Sequence, residues 1–161
     1  MSVVVSDTSP IHYLILCSAE GVLPRLFEKI LIPPTVFKEL LHANAPEPVK
    51  AWASHLPAWV SVKSPSKLDL SIQADQGEVE AICLAREIGA AAILMDDLKG
   101  RNAAMSYGLL VTGTLGILEA AALRGMLDLA ATIEKLKNTN ARLDVRLINA
   151  VLEREKARRQ R

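Results

Sequence analysis

Two short apolar runs each end in a carboxylate: "VVVSD" closes on Asp7 and "AAILMD" on Asp96. Glu39 lies on the helical stretch "TVFKELL", which follows a second strand-like run, and Glu78 stands at the front of the helical stretch "GEVEAICLAREIG". In a parallel sheet the carboxyl ends of the strands share one edge, so these four acids can meet although they are far apart in sequence. Carboxylates gathered that closely repel and take up protons unless something neutralises them, and a divalent cation would do so. Oxygen donors without a histidine or cysteine cluster favour Mg2+ or Mn2+ over zinc. A cation held there acidifies water and stabilises charge on a phosphoryl oxygen; two ions about 4 Å apart could serve the attacking and leaving oxygens separately. The spacing leaves one ion and two equally open.

Each acid also has a purely structural reading. Asp7 can cap a turn with Thr8 and Ser9, and Glu39 can be an exposed helix residue. Glu78 completes a capping box with Asp75, three residues earlier. Asp96 and Asp97 can be turn residues before Lys99 and Gly100, and Glu80 reads as solvated on another face of its helix. Lys99 and Arg101 follow Asp96 closely enough to reach a phosphate, or they form a solvated charge pair.

The elements that would position these residues alternate at short spacing. Val3 to Val5 reads as a strand, and Pro10 to Cys17 as a helix with Ser9 as cap and Pro10 at its first position. A helix from about Glu20 to Phe27 precedes a strand at Ile30 to Ile32, which Pro33 and Pro34 stop. The helix of "TVFKELL" follows, then a weak helical pattern from Asn44 to Leu56, a strand near Trp59 to Val62 and the loop "KSPSKLD". Asp75 caps the clearest helix of the chain and Gly89 ends it. "AAILM" and "LLVTGT" read as strands, and helices are expected over Leu115–Leu123, Leu129–Leu136 and Val145 to about Lys156. Strand–helix alternation of this kind predicts an α/β fold, with crossovers building a mainly parallel sheet that helices cover.

Composition narrows the class. Half of the 161 residues are hydrophobic and 23% are charged, which fits one globular domain with a real core and argues against a disordered chain. The net charge of +1 hides a basic end, "EREKARRQR", suited to phosphate or to an acidic protein. Cys17 and Cys83 lie in apolar patterns without a second thiol nearby, which predicts buried free thiols in a reducing compartment. No signal-peptide pattern and no run long enough to span a bilayer is present, so the cytoplasm is expected and a membrane is not. His12, His42 and His55 share no ligand spacing, and neither a P-loop nor a dinucleotide fingerprint occurs. Aromatic residues make up only 4% of the chain, too few and too scattered for a base-stacking platform.

Taken together, "VVSDTSPIHYL", "LIPPTVFKELL", "DQGEVEAICLAREIGA", "AILMDDLKGRNAA" and "VTGTLGILEAA" resemble the PIN-domain family in order and spacing. The likeness is to a branch of small stand-alone prokaryotic proteins similar to VapC-type toxin ribonucleases. It implies a three-layer α/β/α sandwich over residues 1–155, with 156–161 as a basic C-terminal tail. It also implies a Mg2+- or Mn2+-dependent endoribonuclease whose metal and catalytic positions are Asp7, Glu39, Glu78 and Asp96. Thr8, Ser9, Thr112 and Thr114 would support that site, with Asp97 as a reserve ligand. Glu78 departs from the aspartate commoner at its position, which shifts the ligand geometry. The implied partners are an RNA substrate, an antitoxin protein laid across the acidic groove, and a second copy of the chain. Two other classes fit the residues: a non-catalytic PIN-like module binding RNA or protein, and another Mg2+-dependent phosphotransfer enzyme.

Overall fold

The protein is described here by a computed structural model that covers residues 2–161. Its strands are β1 (Val3–Ser6), β2 (Lys29–Ile32), β3 (Val60–Val62), β4 (Ile93–Leu94) and β5 (Val111–Thr112). They form one sheet in the order β3-β2-β1-β4-β5, every neighbouring pair parallel. Parallel neighbours need crossovers, and helices supply them. These are α1 (Thr8–Leu16), α2 (Leu23–Leu26), α3 (Pro34–Leu40), α4 (Glu47–Ser54), α5 (Gln76–Ile88), α6 (Leu98–Ser106), α7 (Thr114–Leu123), α8 (Leu129–Lys137) and α9 (Val145–Arg159).

Side chains of successive strand residues point to opposite faces, and the core divides accordingly. Val4, Ile30, Ile32, Val60 and Leu94 join a large apolar cluster with residues of α1, α3, α4, α7, α8 and α9. Val5, Leu31, Ile93 and Met95 join a second cluster with α5 and Ala104 of α6. Helix, sheet and helix make three layers, and the expected α/β/α architecture with its parallel sheet is the one observed. Cys17 and Cys83 are buried free thiols. No helix among the described residues is long and apolar enough to cross a membrane.

Several local expectations are corrected. The first helix begins at Thr8, not Pro10, and Asp7 rather than Ser9 occupies the capping position. Pro10 is still in the first turn, where its missing N–H would have had no intrahelical partner anyway. The expected helix over Glu20–Phe27 is instead a 3-10 turn, Glu20–Val22, followed by α2; Pro24 must lie in the first turn of a new helix. Helix α6 was not anticipated, because "LKGRNAAMS" carries a glycine and little apolar periodicity. Its start is secured by the Asp97 side chain, which accepts from the Gly100 amide.

Glu80 is buried rather than solvated: it accepts from the Thr35 amide at 3.1 Å and from Gln76 Nε2 at 2.8 Å, tying α5 to α3. Helix α9 continues to Arg159, so most of the basic end is helical, and three of its arginines are paired with glutamates. Arg158 and Arg159 donate to Glu155, and Arg154 donates to Glu119 on α7.

Candidate functional site

Strand order reverses beside β1: the chain first moves outward to β2 and β3, then returns across the sheet to β4 and β5. Ligands in open α/β sheets gather at the carboxyl ends beside such a reversal. Asp7 directly follows β1, and its amide donates to the Leu94 carbonyl at 2.9 Å, which locks the end of β1 to the end of β4. Asp96 lies two residues beyond that carbonyl. The pairing of Ser6 with Leu94 therefore sets both aspartates on one edge.

Asp7 is 7% exposed and makes no capping hydrogen bond to α1, so the turn-capping reading leaves its carboxylate unused. Its pKa is pushed up to about 7. Burial is the chief cause; the Thr8 amide works against it, and the fields of Asp75, Glu39 and Asp96 add to it. Glu39 projects from α3, where Thr8 Oγ1 donates to its Oε2. A Cβ placed on Gly77 would lie 3.4 Å from Glu39 Oε1 and 3.6 Å from Asp7 Oδ1, so these two carboxylates flank the bare first turn of α5.

Glu78 is buried at that same turn. It completes the expected capping box: its amide donates to Asp75 Oδ1 at 2.9 Å, and its Oε1 accepts from the Asp75 amide at 3.2 Å. The other oxygen, Oε2, is buried without a hydrogen-bond partner among the described residues. The Glu78 pKa is raised to about 8, chiefly by burial, with the side chain of Asp75 and the charge of Asp7 adding to it. A Cβ on Gly100 would come within 1.8 Å of this Oε2 and 2.7 Å of Met95 Sδ. The glycine is needed for space, because the start of α6 packs directly on the Glu78 carboxyl.

The Asp96 carboxylate is held from the first residue of α7. The Thr114 amide donates to its Oδ1 at 2.7 Å and Thr114 Oγ1 to its Oδ2 at 2.6 Å. Burial raises the Asp96 pKa, while the Thr114 bonds and the Arg101 charge oppose the rise. Of the hydroxyl residues, Thr8 and Thr114 orient carboxylates. Ser9 and Thr112 have no side-chain hydrogen bond among the described residues, and Asp97 is turned to cap α6.

Residue types alone did not reveal three further members. Asp75 exerts the largest carboxylate field on Asp7, and its place one turn before Glu78 was the available signal. Tyr13 feels both Asp96 and Arg142, which are remote in sequence, and nothing local announced that meeting. Among the described residues, no three acidic, histidine or cysteine groups close on one point as a finished metal cage. The donor set still fits a hard cation: oxygens only, buried at Asp7 and Glu78, with one unpartnered at Glu78, and an Asp7 carboxyl that burial and then other negative charges push towards neutrality.

Residues 3–157 match the family described as a PIN domain, DUF3368. Among solved structures, a PilT N-terminus domain protein from the hyperthermophilic archaeon Sulfolobus solfataricus P2 is similar in fold, with a TM-score of 0.50 and 15% identity. The match covers 88% of this chain and 99% of that one. No curated protein matches the sequence significantly.

Proposed function

Since the chain belongs to the PIN-domain family, whose members are in general metal-dependent nucleases, we propose that it is a Mg2+- or Mn2+-dependent endoribonuclease. The observation that carries this reading is the meeting of Asp7 and Asp96 at the strand-order reversal, with Glu39 beside Asp7 and no capping duty for Asp7 itself. In this reading Asp7, Glu39 and Asp96 hold the cation, and Glu78 joins them from the first turn of α5. When bound, the cation neutralises these acids, acidifies water and stabilises charge on the phosphoryl oxygens.

The chain's own groups set the geometry. Thr114 fixes both oxygens of Asp96, and Thr8 fixes Glu39, so two of the holders keep their orientation before substrate arrives. Water adds to phosphorus and the bond to the 3′ oxygen breaks, leaving a 5′-phosphate and a 3′-hydroxyl. The protein acts in the cytoplasm as the toxin of a toxin–antitoxin pair, as a homodimer that an antitoxin neutralises by covering the acidic edge.

The test is incubation of a mixed, end-labelled RNA pool with Mg2+, Mn2+ or chelator, using wild type and folded Asp7→Asn and Asp96→Asn proteins. Metal-dependent products absent from both variants support the proposal. Absence of cleavage in every lane, together with absence of metal binding, would transfer the assignment to a non-catalytic binding module.

A further inference from the structure

Arg101 belongs to this edge but not to the metal-holding set. It lies on the first turn of α6 and is half-buried. Its guanidinium donates from one nitrogen to the Met95 carbonyl at 3.1 Å, and among the described residues it has no other hydrogen bond and no ion pair. A guanidinium carries five donors in a rigid fork, so most of its capacity is uncommitted.

Its placement is specific. A Cβ built on Gly113 would lie 2.7 Å from one terminal guanidinium nitrogen of Arg101 and 2.8 Å from Asp96 Oδ1. Gly113 has an ordinary extended backbone, φ −97°, so the glycine is required by room and not by conformation. The bare turn between β5 and α7 thus lets a cation and a carboxylate share one wall. The sequence, by contrast, left Arg101 open between a phosphate contact and a solvated pair with Lys99. A surface arginine would be neither tethered to a strand-end carbonyl nor lodged over a glycine.

We propose that Arg101 is a phosphate-binding residue of the site, its free guanidinium donors gripping non-bridging oxygens of the RNA backbone beside Asp96. The polyanion's identity rests on the nuclease reading above. The physical need is plain: a phosphodiester that approaches Asp7, Glu39, Asp75 and Asp96 meets like charge, and Arg101 offers a fixed opposite charge at the same edge. A forked, charge-assisted contact also orients the phosphate as well as attracting it.

The experiment measures binding of a fluorescein-labelled, mixed-sequence single-stranded RNA across a salt series. It uses Asp7→Asn protein as the parent, alone and combined with Arg101→Gln or Arg101→Lys. Arg101→Gln should weaken binding about tenfold and reduce the slope of log K against log salt by about 0.7, one phosphate contact on a single strand. Arg101→Lys should keep the slope but lose part of the affinity, since an ammonium lacks the fork. Arg101→Gln should not weaken Mn2+ binding by the wild-type background, since it removes a positive charge beside Asp96, and melting temperature serves as the control for folding.

Parent-like RNA affinity and slope in Arg101→Gln would overturn the proposal, as would a loss confined to Mn2+ binding or folding, or failure of the parent to bind RNA. Any of these leaves the nuclease reading standing if wild type cleaves RNA with metal. Arg101-dependent RNA binding without wild-type cleavage would retain the phosphate contact and remove the nuclease.

Discussion

Asp7→Asn should stabilise the metal-free protein at alkaline pH. Burial, reinforced by the fields of Asp75, Glu39 and Asp96, lifts the Asp7 carboxyl from 3.8 to about 7. Between those values the folded chain keeps a proton that the unfolded chain has released. The folded state therefore binds more protons there, and stability falls as pH rises from about 4 to about 7. At about 1.4 kcal/mol per pH unit, the loss by pH 8 is on the order of 4 kcal/mol. Asparagine cannot ionise and should recover much of it. The assay is urea unfolding with chelator at pH 5 and pH 8. Wild type should have the lower midpoint at pH 8; Asp7→Asn should exceed wild type at pH 8 and lose much less between the two pH values. It should retain some pH dependence, because the Glu78 pKa is also raised, to about 8. A variant less stable than wild type at pH 8, or one with wild type's full pH dependence, would refute the account of Asp7 as a carboxyl crowded by burial and like charge.

Other perturbations follow the same contacts. Leu94→Ala removes a fully buried side chain at the end of β4 and should cost about 2–5 kcal/mol in chemical denaturation. Gly100→Ala drives a methyl group into the Glu78 carboxyl and should cost about 1–3 kcal/mol. Combining it with Glu78→Ala should cost less than the two single changes summed, as a double-mutant cycle would record. Thr114→Val removes the hydroxyl bond that opposes the rise of the Asp96 pKa. The acid limb of the pH profile for RNA cleavage should therefore move to higher pH, with kcat falling by tenfold or more, on the order of one lost charge-assisted bond.

Much of the fold was legible because each signal was local. Short continuous apolar runs marked β1 and β2, the Asp75–Glu78 box and Gly89 bracketed α5, and Pro33 and Pro34 stopped β2. Helix α6 was missed because its stability comes from Ala104 packing under the sheet and from the Asp97 cap, not from an apolar stripe. Helix α9 outran its expected end because Glu155 neutralises the arginines that looked like a free tail. The site was legible in part. Asp7 and Asp96 were recognisable from strand ends, which the sheet brings together by rule. Asp75 looked like a cap and is one; only the three-dimensional approach of α5 to β1 turns it towards Asp7. Arg101 was open to a phosphate contact from its spacing to Asp96, whereas Tyr13 and Arg142 belong to segments whose meeting depends on how the loop before α9 packs, and sequence spacing carries no record of that.

The central claim is that this edge gathers carboxylates to hold a divalent cation. Mn2+ titration calorimetry near pH 7, repeated in buffers of different ionisation enthalpy, tests it most directly. The cation must displace protons from Asp7 and Glu78, whose pKa values lie near and above that pH, so wild type should bind Mn2+ with proton release. Asp7→Asn and Asp96→Asn should each weaken binding, and Asp7→Asn should also reduce the number of protons released. No binding by wild type, or binding that both variants retain unchanged, would contradict the account.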